Sequence, residues 1–130
     1  MLLVGGAIVG YNSWRGHQAS QRRSEEQATL ALYERIGRPT GFTEQGSPQL
    51  KAATWLLVTW TAPSGQGDPV AATESWLLGH MRPDQLSKDN VERAYREGAP
   101  FFIEDQGPAN IEVTLSSTAS TYRIDVSITR

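Results

Sequence analysis

Glu112 and Asp125 are the carboxylates whose setting comes nearest to a reactive pair. Glu112 alternates with Ile111, Val113 and Leu115, and Asp125 with Ile124, Val126 and Ile128. A period of two puts both acids on the polar face of neighbouring strands, with Arg123 nearby. Two carboxylates on one face can do general acid–base work or bind a hard cation. The plainer explanation is a solvated strand face carrying ion pairs, the ordinary place for charge, and it is the one favoured here. Glu104-Asp105 makes a poor chelate, because adjacent strand residues point opposite ways.

Other reactive constellations are missing from the chain. His17 and His80 are its two histidines, and neither has a metal-ligand spacing such as HxxxH. None of the serines and threonines stands in a G-x-S-x-G elbow. Gly65-Gln66-Gly67 precedes a helix but is too short for a phosphate loop, and Asp68 at that helix start repels an anion. The chain has no cysteine, which excludes a disulfide framework, a thiolate zinc site and a cysteine nucleophile. Formal charge is −2 and no basic stripe interleaves with aromatics, so no nucleic-acid partner is expected. The expectation is a non-enzymatic chain with no cofactor and no metal.

Aromatic residues are the remaining candidates. Trp55, Trp60, Trp76, Tyr95, Phe101 and Phe102 are many for so small a domain. Core packing between sheet and helices is their commonest use. The sharper reading is a groove for an apolar ligand or partner. It assigns binding to Trp55, Trp60, Trp76 and Phe102, with Trp55 and Phe102 foremost as residues on the less covered side of their strands.

The elements that position these residues follow from periodicity. Residues 18–36 read as a helix, with Ala28, Leu32 and Ile36 on one face and a polar first half. Glu34 and Arg38 have pairing distance, but Gly37, Pro39 and Gly41 end the helix. A short strand is expected at 42–44 and a turn at 46–48. The apolar stretch 50–62 reads as one central strand, covered at least in part on both faces.

Asp68-Pro69 starts a helix, with Asp at N-cap and Pro at N1. Val70, Leu77, Leu78 and Met81 form its apolar side, with Glu74 at the edge of the stripe. Ser87 caps a shorter helix, Leu86 and Val91 have hydrophobic-staple spacing, and Gly98 ends it. Strands follow at 101–105, 111–116 and 122–129. A four-residue turn at 117–120 sets Glu112 opposite Asp125. A two-residue shift sets Glu112 opposite Arg123, and charge leans toward the second register.

The first 14 residues carry no charge. At ~1.5 Å per residue they reach about 21 Å of the ~30 Å hydrocarbon core. They read as part of a transmembrane helix beginning upstream, with Tyr11 and Trp14 as an aromatic belt and Arg15 after them. A signal peptide and a helix in a soluble core are the competing readings. The arginines that follow, counted literally, place the domain in the cytoplasm.

The run from Arg15 to Arg23, followed by Pro39-Thr40-Gly41-Phe42, resembles the plan of small single-pass proteins of high-GC Gram-positive bacteria. These have an anchor, an Arg-rich stalk, a Pro-x-Gly-aromatic step and a compact sheet-plus-helix domain. The resemblance implies an extracytoplasmic domain, against the literal arginine count, and no functional residue.

The expected fold is α+β. An antiparallel sheet of three to five strands carries two helices on one face, preceded by an N-terminal membrane and stalk helix. Residues 1–14 form the anchor, 15–38 the stalk and 39–130 the globular domain. The expected function is a membrane-tethered module that binds an unknown protein partner. A small apolar ligand or lipid is the alternative, and an acid–base enzyme using Glu112 and Asp125 the third.

Overall fold

The computed structural model describes residues 20–80, 86–103 and 109–130. Among these, a first helix α1 covers residues 20–36. Then come β1 (Thr43–Glu44), β2 (Gln49–Ala52), β3 (Trp55–Pro63), α2 (Pro69–Leu78), α3 (Lys88–Glu97), β4 (Pro100–Ile103), β5 (Asn110–Ser117) and β6 (Thr121–Thr129). The strands form one antiparallel sheet in the order β1-β3-β6-β5-β4, and β2 shares with β1 the outer edge of β3. The expected anchor, His17, Met81 and Glu104-Asp105 lie outside the described residues. Among the described residues no helix is long and apolar enough to cross a membrane.

The α+β class and the antiparallel sheet match expectation, whereas the six strands exceed the expected three to five. The difference arises at 50–62, which is a hairpin and not one strand. β2 and β3 meet around Ala53-Thr54, and the register slips between Leu50 and Ala52. No described non-glycine residue has a positive φ, so this turn is not of the primed type. The irregularity supplies the extra twist that a primed turn would otherwise provide.

The core lies on one side of the sheet. Leu56, Val58, Trp60, Ile111, Val113, Leu115, Ile124, Val126 and Ile128 are buried there. Each large aliphatic side chain contributes roughly 1.5–3 kcal/mol by leaving water. All three of the described helices cover this side. Trp60 meets Tyr33 of α1 at 6.1 Å and Trp76 of α2 at 5.3 Å between ring centroids. Tyr95 of α3 meets Tyr122 of β6 at 4.9 Å.

The core reaches back beyond residue 39. Ile36 and Thr29 of α1 are buried. The Thr29 hydroxyl lies 2.8 Å from the Ala53 carbonyl, and Arg130 donates 2.8 Å to the carbonyl of Glu25. The Ile36 carbonyl, left open at the helix end, accepts the Trp76 indole N–H at 2.6 Å. Residues 20–25 are exposed, in keeping with their polar sequence.

Local signals hold at the other two helices. Asp68 accepts from the Ala71 N–H and Ser87 from the Asn90 N–H, each at 3.1 Å. Leu86 and Val91 are both buried, as the staple requires. The apolar stripe of α2 is corrected: Val70, Thr73 and Leu77 face inward, while Leu78 is 42 % exposed. Thr73 tolerates burial because its hydroxyl donates to the Pro69 carbonyl at 2.7 Å. Arg38 lies 3.7 Å from Glu44 instead of pairing with Glu34, since Gly37, at φ 66°, has already ended α1.

The β5–β6 register is neither of the two expected. Glu112 stands opposite Ser127, and Asp125 opposite Thr114. The Thr118 N–H donates to the Thr121 carbonyl at 2.8 Å, which leaves only Ala119-Ser120 to turn the chain. The Thr118 side chain accepts from the Ser120 and Thr121 N–H groups at 3.4 and 3.2 Å. A threonine hydroxyl thus tightens a turn that lacks glycine and asparagine.

Candidate functional site

Among the described residues the second face of the sheet carries no helix. The expectation that the strand through 50–62 is covered at least in part on both faces holds in that limited sense for β3. Only the side bearing Leu56, Val58 and Trp60 is packed, whereas Trp55 is 41 % exposed and Leu57 and Thr59 are half-buried. Hydroxyl-bearing Thr59, Thr61, Thr114, Ser116 and Ser127 let the odd positions of β3 and β6 and the even positions of β5 face water without cost.

Strand register orders this face into rows. One row runs Phe102, Glu112, Ser127, Leu57, Gln49 across β4, β5, β6, β3 and β2. The next holds Thr114, Asp125 and Thr59. Trp55 belongs to a third row, opposite Thr129, but its indole N–H reaches back to the Ser127 hydroxyl at 3.3 Å. The exposed aromatics Trp55 and Phe102, the latter 48 % exposed, therefore flank Glu112.

Asp125 is fully engaged. It accepts from Arg123 Nε at 3.0 Å and Nη2 at 3.0 Å, and from the Thr59 hydroxyl at 2.7 Å. The same contacts hold the Arg123 guanidinium above its usual pKa range. Glu112 sits diagonally from Asp125 on the neighbouring strand, so the two carboxylates do not face each other. Among the described residues Glu112 makes no hydrogen bond or ion pair, and no group of three or more His, Cys, Asp or Glu side chains gathers to hold a metal.

A depression of about 380 Å³ lies beside this row, bordered by Gln45, Gln49, Lys51, Leu57, Arg123 and Asp125. It is open and of mixed polarity. A second, of about 340 Å³, sits over Tyr95 and Tyr122 between Glu92 and Arg96, and is likewise open.

The other two tryptophans lie apart from the face. Trp60 is 0 % exposed and donates its indole N–H to the Tyr33 hydroxyl at 3.0 Å. Tyr33 in turn bonds Glu44. Burial, then the Glu44 carboxylate, pushes the Tyr33 phenol up to about 12. Trp76 is half-buried and serves α1, with His80 also 3.0 Å from the Ile36 carbonyl. Among the named aromatics, then, Trp55 and Phe102 share the open face, on β3 and β4 with β6 and β5 between them. Glu112 and Ser127 stand between them, a grouping invisible without the register.

No protein-family model, curated protein or solved structure matches the chain.

Proposed function

We propose that the chain is a membrane-tethered, non-enzymatic interaction module whose protein partner docks on the open face of the sheet, outside the cytoplasm. The supporting observation is the asymmetry of that sheet. Among the described residues three helices crowd one face, while the other presents Trp55 and Phe102 at 41 % and 48 % exposure. Large aromatics left in water on a rigid scaffold are typical of interface anchors. Residues 1–14 supply the tether in this reading.

The small-ligand alternative has less to rest on, because the depressions described are open and not enclosed apolar cavities. Nor do Glu112 and Asp125 converge on a common point. Site-specific photocrosslinking in cells making the full chain tests the reading. Crosslinkers at Asn110 and Ser116, on the open face, should give discrete protein adducts, and crosslinkers at Arg93 and Glu97 on α3 should not. Equal labelling from both sides would sink it.

A further inference from the structure

The residue on the open face that stands out electrostatically is Glu112. Asp125 is neutralised by Arg123 at 3.0 Å, and Lys51 lies across the depression on β2. Glu112, half-buried in the middle of the row, has no partner among the described residues. A carboxylate in that setting leaves one negative charge uncompensated between two exposed aromatic rings.

The spacing follows from hydrogen-bond phase. The Leu115 N–H donates to the Ala99 carbonyl at 3.1 Å, which makes Phe102 and Glu112 a non-hydrogen-bonded pair. The Thr118 to Thr121 bond makes Glu112 and Ser127 a hydrogen-bonded pair. Cα separations are then about 4.5 and 5.5 Å, or ~10 Å from Phe102 to Ser127, over which the Trp55 indole reaches. Phe102, the cross-strand neighbour of Glu112, is placed to attract a cation seated on that carboxylate, while Trp55 turns its N–H edge to Ser127 on the other side.

We propose that Glu112, flanked by Phe102 and Trp55, receives the guanidinium of an arginine presented by the protein partner, an inference that rests on the interaction-module reading. Guanidinium is planar, so it can stack on an aromatic ring while donating a fork of hydrogen bonds to the carboxylate. Ammonium offers only a point charge. Ser127, whose oxygen already accepts from Trp55, fixes the indole at the rim of this slot.

The test uses the full chain in detergent micelles, ¹⁵N-labelled, with the Trp55 indole signal assigned through Trp55→Phe. Titration with the capped tripeptide Gly-Arg-Gly should shift that signal and the Glu112 amide. Its citrulline counterpart, equal in shape but uncharged, should leave both in place. Glu112→Gln should weaken the arginine peptide about tenfold, the equivalent of one charge-assisted contact. Phe102→Leu, which keeps the face apolar but removes the ring, should weaken it severalfold.

An unmoved Trp55 signal, or an equal response to citrulline, overturns the proposal. So does tetramethylammonium binding more tightly than the arginine peptide, which would assign the slot to a small quaternary ammonium ligand. Crosslinks from Ser116 that persist undiminished in Glu112→Gln would reject the arginine slot while leaving the interaction module standing.

Discussion

Tyr95 of α3 and Thr73 of α2 share a 2.6 Å hydrogen bond between two buried side chains. Thr73 already donates to the Pro69 carbonyl, so the phenol is the donor in this bond. The contact links two of the helices that roof the sheet and gives the buried Tyr95 phenol its partner.

Removing the Thr73 hydroxyl leaves the buried Tyr95 phenol without its acceptor, and removing the phenol leaves Thr73 with its Pro69 bond alone. Tyr95→Phe and Thr73→Val should each lower stability by about 1–3 kcal/mol. The double variant should lose clearly less than the sum of the two. Chemical denaturation of the four proteins checks this, and strict additivity would mean that the pair is not coupled.

Alkaline pH should unfold the domain in a defined window. The Tyr33 phenol is raised to about 12 by burial and by Glu44, and burial raises Tyr95 as well. The unfolded phenols ionise near ~10. Stability is thus complete below about pH 10 and falls as pH climbs through about 12, because the unfolded chain releases its protons first. Tyr33→Phe should start less stable at neutral pH, since Trp60 loses its acceptor. Its further decline above pH 10 should be shallower than that of the wild type.

The first helix should prove part of the cooperative unit. Ile36→Ala removes a side chain that is 1 % exposed and should cost about 2–5 kcal/mol. A fragment of residues 39–130 also strips the carbonyl that receives the Trp76 indole, and its thermal melt should be broad and early. A sharp, unshifted transition would put the domain boundary at residue 39 after all.

Phe102→Ser should change stability little. The residue is 48 % exposed on an uncovered face, and about 1 kcal/mol bounds the expected loss. Leu115→Ala, one strand away on the packed face, should cost about 2–5 kcal/mol. Comparing the two melting curves separates the faces directly.

Gly98→Ala should destabilise without any clash. Gly98 ends α3 at φ 69° with open space where a Cβ would go. The penalty, about 1 kcal/mol, comes from forcing an L-residue into the left-handed region.

What the sequence revealed follows from which signals are local. Alternation from Ile111 to Ile128 identified two strands and their buried side, because a two-residue period belongs to a single strand. Asp68, Ser87 and Gly98 marked helix ends through their own short-range chemistry. The β2–β3 hairpin stayed hidden, since Ala53-Thr54 are ordinary strand residues and the irregularity that bends the chain there has no compositional mark. Thr118 concealed the tight turn in the same way. The half-apolar run Trp55, Leu57, Thr59 did not disclose which face the helices would choose. Trp55 and Phe102 were legible as surface aromatics, but their grouping around Glu112 depends on pairing between distant segments.

The margins of the sheet carry a last consequence. On one side Gly46, Ser47 and Pro48 interrupt the edge between β1 and β2, and on the other Pro100, without an N–H, heads β4. A ribbon spoiled at both borders is a poor template for lateral growth into fibrils. Many copies crowded together therefore stay unjoined along these borders.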